Sequence, residues 1–490
     1  MLSRTKITAD RSRGWGVCGN KPDQIDTYTI TRKLRGLGLP LNSPFLHILA
    51  RHGLLTLCRL VLDVDNRKAA FVGEVDRMFR KIQQETDLAA TDDQGYTALH
   101  WAARRGHTDV VSYLTEKGAN LASLSDRGET ALHLAAAEGC LIAVKLLVNK
   151  IDIELQDQAG QTALHLAAAH GHVEVLKVLI DLNADVGGMD GSGRTALHHC
   201  AAVGHLDAIE MLLDASAEDE ASAQDEEGMT ALHLATENGC LESMEMLMRK
   251  IDFSRQNNYG QTALHLATTV QTAKVLMDHI DNAIQDDQGQ TALHIAARDS
   301  DWQVVKMLAS DPTTMAVQDN DGKTALHLTV ERHAMATAEG KRTTQGPNEH
   351  DSVEGIDTNE SQALDAIKIM VNKGLDADIQ DCEGKTALHL AAEYGDLKVG
   401  TLLLDRTDIT IRDIDGRTAL HWSALNGHVE VVRMLIEKGA SEQTADLMEM
   451  TDDQLDTALD YALNQNHKEI VNLLLEYESM SQSWRSSLRK

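Results

Sequence analysis

The sequence predicts an all-α solenoid made of short helix–turn–helix units stacked in a row. Three observations predict it. The tetrapeptide Thr-Ala-Leu-His occurs ten times, ending at His100, His133, His165, His198, His233, His265, His294, His327, His389 and His421. Successive spacings are 33, 32, 33, 35, 32, 29, 33, 62 and 32 residues, a period that marks a repeat array and overrides any domain count from length. Aromatic residues make up 3% of the chain, so small apolar side chains (Ala, Leu, Val) must fill the layers.

Each part of the unit has a local cause. A Gly stands two residues before every Thr (Gly95, Gly128, Gly160 and onward), and three residues before it comes Asp, Asn or Ser, such as Asp92, Ser125 and Asn257. That pairing is turn chemistry: a side chain that bonds nearby backbone, then a residue tolerant of positive φ. Thr follows as helix N-cap, and His falls at the third helical position, where its imidazole can reach back to the cap as Glu does in a capping box. Small residues follow, and a second Gly (Gly106, Gly139, Gly171, Gly204, Gly239, Gly395, Gly427) ends the first helix. A second helix then carries apolar spacing such as Val110, Val111, Leu114 or Val175, Leu176, Leu179.

This unit resembles the ankyrin repeat, whose pattern runs D-x-x-G-x-T-P-L-H-x-A-A-x-x-G-H. The resemblance extends over about nine tenths of the chain, with one steady departure, Ala where the family favours Pro. Only Ser43-Pro44-Phe45-Leu46-His47 keeps that Pro, which suits a first helical turn.

Along the chain, residues 1–42 lack the repeat and carry eight Lys or Arg against three Asp; they are expected to be a basic, disordered segment. Residues 43–90 hold the first repeat and an additional amphipathic helix over 69–84. Residues 91–333 form the main block, in which the unit near Val270 lacks its inter-helix Gly. The spacing of 62 is one repeat with a polar loop, 334–362, inserted between its helices. Residues 363–478 hold the last repeats, closing on Asp456-Thr457-Ala458-Leu459-Asp460, where Asp replaces His and Asn466 replaces Gly, as suits a terminal cap. The Ser-rich tail 479–490 is expected to be disordered. Twelve units result, and the interfaces beside Val270 and beside the insertion are expected to be the weakest, dividing the array into two blocks.

Composition restricts function. Lys and Arg number 46 against 75 Asp and Glu, a net charge of −29 that repels nucleic-acid phosphates and anionic lipid. No apolar run reaches the length of a membrane span. The six Cys are scattered; Cys140 and Cys240 occupy a repeat position filled elsewhere by His107, His172, His205 and His428, which fits a reducing compartment, the cytoplasm or nucleus.

Cofactor and metal motifs fail on their context. Equivalent histidines of stacked units should lie roughly 10 Å apart, too far to share one zinc ion. Gly14, Gly16 and Gly19 match a dinucleotide fingerprint, but no strand precedes them and no helix follows. Gly322-Lys323-Thr324 and Gly384-Lys385-Thr386 lack the upstream Gly of a phosphate loop, with Val317 and Ile379 in its place. His198-His199-Cys200 lacks the Asp and the Cys-rich zinc domain of protein palmitoyltransferases. No catalytic constellation, metal site or cofactor is expected.

The resemblance implies recognition of other proteins through irregular side chains on a regular scaffold. The varying positions are the residue after each turn Gly and the two before each inter-helix Gly. Among them the aromatic and Arg residues are the best anchors: Tyr96, Arg104, Arg105, Tyr394 and Arg417. The expected function is a monomeric scaffold or adaptor whose acidic surface favours partners with basic patches. The alternatives are the sensor arm of a larger nucleotide-dependent receptor, and the targeting arm of an enzyme seated in residues 1–90.

Overall fold

The computed structural model describes residues 88–309, 312–343, 353–441 and 447–488. Eleven units within them follow the expected order of turn, first helix and second helix. The unit at Ser43, the helix at 69–84 and the segment 1–42 lie outside the described residues.

Local chemistry sets the helix ends. Thr97 has extended backbone and caps Ala98–Arg104, and Thr130 caps Ala131–Ala137 in the same way. First helices stop after seven or eight residues where Gly106 (φ 67°), Gly139 (φ 69°) or Gly204 (φ 92°) turns left-handed. Ser300 (φ 67°) and Asn466 (φ 61°) adopt the same conformation where the glycine is missing. Second helices such as Thr108–Glu116 and Val173–Asp181 bury one stripe, Val110, Val111 and Leu114 or Val175, Leu176 and Leu179.

Stacking is continuous. The N–H of Asp126 donates to the carbonyl of Gln94 in the preceding turn (3.0 Å), Gln158 to Arg127 (2.9 Å), Gly191 to Ala159 (2.8 Å), and so on to Asp453 and Asp415 (3.0 Å). The turn glycines permit this approach. At Gly160 (φ 76°) a Cβ would lie 2.4 Å from the backbone nitrogen of Gly191. First helices bury their Ala side chains against one another, and one apolar core runs from Tyr96 to Leu474.

Two expectations need correction. The stretch 334–362 is not a loop throughout: helices Ala325–Thr343 and Val353–Asn372 extend into it from both sides. Ala334, Met335, Ala336, Ala338, Glu339, Lys341 and Arg342 are strong helix formers, and polarity alone does not stop a helix. Pro347 falls between the two helices. The nineteen residues of the first are about 28 Å long, against about 10 Å for an ordinary first helix of seven. The tail is also helical to Leu488, within Lys468–Leu488. Tyr477, Met480, Trp484 and Leu488 continue an apolar helical spacing among its serines, with no Gly or Pro to interrupt it.

The shortened unit is as irregular as its spacing suggests. Its first helix is a single 3-10 turn, Ala263–Leu266, and Thr269 rather than a glycine leads into Val270–Met277.

Candidate recognition groove

Nine of the ten motif histidines are used by the scaffold at both ring nitrogens. In each unit the Thr N–H donates to the imidazole Nδ1, at 3.0 Å for Thr97 and His100 and 3.1 Å for Thr130 and His133. The other ring nitrogen, Nε2, then carries the proton and donates across the layer to the next turn. His100 reaches the carbonyl of Glu129 (3.0 Å), His133 that of Gln161 (3.1 Å), His198 that of Met229 (3.0 Å) and His327 that of Lys385 (3.1 Å). Burial holds these imidazoles neutral by pushing their pKa down, to about 4 at His198 and His389. His421 precedes the cap, and its Nε2 has no hydrogen-bond partner. In the cap itself Asp460 takes over, accepting from the N–H and hydroxyl of Thr457 (2.8 and 2.7 Å). Among the described residues, no three His, Cys, Asp or Glu side chains are placed to hold a metal ion.

With the histidines turned inward, the side chains left to face outward lie between the turns and the first helices. There the residue after the motif His takes a second role. Trp101, His199, Trp422 and Tyr461 each donate to the outer carboxylate oxygen of their own turn Asp, at 2.8, 2.8, 2.9 and 2.7 Å. These bonds tie aromatic rings to the groove wall. Near the C-terminal end, Lys385 Nζ lies 4.1 Å from the centre of the Trp422 ring, and the Arg417 guanidinium 5.2 Å from it. Near the other end, a hollow of about 410 Å³ opens across three units. Tyr96, Arg127 and Glu129 form its turn side, Arg104 and Glu138 its helix side, and Leu134 and Leu166 its floor.

A family model of ankyrin repeats, in three copies, matches residues 46–157, 143–223, 217–286, 268–338, 358–446 and 408–483. The chain belongs to the ankyrin-repeat family. Similar proteins match over shorter stretches. Ankyrin repeat domain-containing protein 39 of Homo sapiens is 45% identical over 51 residues, 10% of this chain and 28% of that protein. Ankyrin repeat domain-containing protein 40 of Mus musculus is 37% identical over 54 residues, 11% and 15%. The 26S proteasome non-ATPase regulatory subunit 10 of Mus musculus is 40% identical over 50 residues, 10% and 22%. Each match spans under a third of the relative's length and about one and a half repeats. Ankyrin repeats are in general protein–protein interaction modules.

The ankyrin array distributes the five sequence-chosen anchors unevenly. Tyr96 and Arg104 share the hollow. Tyr96 is only 5% exposed and is not a free surface ring: its hydroxyl donates to Glu129 (2.7 Å), and its ring stands edge-on to Trp101 at 5.5 Å. Arg104 pairs with Glu138 (3.0 Å). Arg105, one residue on, is exposed and makes no ion pair among the described residues. Arg417 is also held by the scaffold, through Asp415 (3.0 Å) and the Tyr461 hydroxyl (3.1 Å). Tyr394, 43% exposed, closes the helix Ala387–Tyr394. The repeats of His133 to His327 separate the first three residues from the last two. Sequence reasoning passed over Arg127, Leu166 and Trp422. Polar or aromatic residues at a position that is Leu in most units were the available signal for Trp422; Arg127 and Leu166 carried none.

Among the described residues no helix is long and apolar enough to cross a membrane. Cys140, Cys200, Cys240 and Cys382 are free thiols, and burial pushes the pKa of Cys200 up.

Proposed function

We propose that this protein is a scaffold or adaptor that binds other proteins in the groove between its turns and first helices, without chemistry of its own. The carrying observation is the division of labour within each unit. The recurring groups, the Thr cap, the His and the glycines, are consumed in the fold, while the side chains that line the hollow differ from unit to unit. Burial perturbs the motif histidines strongly, and ring nitrogens such as those of His233 are committed to backbone partners rather than to a substrate. A stacked array loses little conformational freedom when it docks, which favours binding through a preformed surface. The net charge of −29 favours approach by basic faces and makes association salt-sensitive. The free thiols of Cys140, Cys200, Cys240 and Cys382 support a reducing compartment as the working setting.

The test is capture of proteins from native-cell lysate on the immobilised full chain. A second bait carries Arg105→Glu, Leu166→Trp and Tyr394→Ala, all at exposed or half-buried groove positions, with an unchanged circular dichroism melt as control. A partner held by the first bait and lost by the second supports the groove. Equal retention by both, or no specific partner, contradicts it.

A further inference from the structure

The hollow at the His100, His133 and His165 units is selective in what it has left to offer. Each of its carboxylates is already engaged through one oxygen. Glu129 Oε2 accepts from the Tyr96 hydroxyl (2.7 Å) and from the Ser125 hydroxyl (3.0 Å), and Glu138 Oε1 accepts from Arg104 Nε (3.0 Å). Its cations are less engaged. Arg127 is exposed and makes no ion pair among the described residues, although its backbone is fixed on both sides. Its N–H donates to Ser125 Oγ (3.2 Å), and its carbonyl accepts from the Gln158 N–H (2.9 Å). Arg104 spends only Nε on Glu138. Between them lies an apolar floor of Leu134, 5% exposed, and half-buried Leu166.

The largest unpaired charge in the hollow is therefore the Arg127 guanidinium, beside the remaining nitrogens of Arg104 and above an apolar floor. A planar guanidinium matches a carboxylate with two parallel hydrogen bonds, and a partly desolvated setting strengthens them. Inside the hollow Glu138 meets Arg104 at Nε alone, and Arg127 has no ion-pair partner among the described residues.

We propose that this hollow takes an Asp or Glu side chain flanked by an apolar residue, presented by an extended segment of a partner protein. The carboxylate sits on Arg127 and Arg104, and the neighbouring apolar side chain on Leu134 and Leu166. This rests on the groove reading above and narrows it to one ligand chemistry. It also opposes the sign that the whole-chain charge of −29 selects, so local and long-range electrostatics make different demands. An association driven by the overall field would select Lys and Arg.

A random peptide library displayed on phage and panned against the full chain separates the two. The expected outcome is enrichment of Asp or Glu next to Leu, Ile, Met or Phe. Arg127→Gln should weaken the selected peptides about tenfold or more, the loss of one charge-assisted bond, with no change in melting temperature. Leu166→Trp, which puts at that position the residue found at Trp101 and Trp422, should fill the hollow and abolish binding. Enrichment of Lys or Arg, absence of any acidic preference, or acidic peptides that ignore Arg127→Gln would each overturn the proposal. Peptides that are lost with Leu166→Trp but carry no acid and ignore Arg127→Gln would overturn it while leaving the groove reading in place.

Discussion

At the level of single residues, glycine and histidine do different kinds of structural work, and the geometry separates two classes of glycine. Gly118 has φ 81° and open space where a Cβ would go; Gly160 has φ 76° and a neighbouring backbone nitrogen 2.4 Å from that point. Gly118→Ala should therefore cost only the left-handed backbone, about 1–2 kcal/mol. Gly160→Ala should cost that plus about 1–3 kcal/mol for forcing two turns apart. Urea unfolding of the two variants checks this, and equal losses would contradict it. The cap shows the same rule from the other side. Leu455 stands in the place of the turn glycine with φ 70° and is 77% exposed, since no further turn packs on it among the described residues. Asp460 replaces His for a related reason: it satisfies the Thr457 cap and has no second nitrogen to leave unpaired.

At the level of elements, the two irregular units turn out unlike each other. The unit of His265 has one 3-10 turn in place of a first helix, so it offers fewer backbone bonds and less apolar contact. The unit of His327 carries the insertion yet keeps its ladder. Cys382 N–H donates to the Asp321 carbonyl (2.9 Å), His327 to that of Lys385 (3.1 Å), and Gln318 to that of Gln380 (2.8 Å). It gains a further tie. His333 takes the position of the missing inter-helix glycine and hydrogen-bonds through Nδ1 to Asp396, fully buried against the next unit. The expectation of two weak junctions thus reduces to one. In native-state hydrogen exchange, amides of 263–277 should open first, while 319–327 and 381–389 exchange with the bulk of the array. Earlier opening beside the insertion than at 263–277 would contradict this.

For the molecule as a whole, the motif histidines add up. In the unfolded chain an imidazole titrates near 6.5, whereas the folded values are lower, so the unfolded chain binds more protons between the two. The stability they contribute is fully present above pH 6.5 and is lost as pH falls toward 4. His198 and His389, at about 4 each, account for about 3 kcal/mol apiece once protonated. Urea midpoints should be flat from pH 7 to 8 and should fall steeply between 6.5 and 4. A midpoint unchanged from pH 7 to 5 would mean that the imidazoles are not buried neutral.

Much of this was legible without coordinates. The period, the Thr cap, the reach of His back to it, the left-handed glycines and the terminal cap all follow from contacts within a few residues, which sequence spacing encodes directly. The helix ends at 334–362 and 479–490 were less legible, because a polar helix carried by strong helix formers reads like a loop to a hydrophobicity pattern. Anchor residues were the least legible. Tyr96 and Arg417 occupy variable positions, yet Glu129 and Tyr461 from the adjoining units draw them into the scaffold. Arg127 drew no notice in a turn and makes no ion pair among the described residues. Local geometry determined the array; which side chains remain free to bind was decided by pairings between neighbouring units some thirty to forty-four residues apart, and no single unit contains that information.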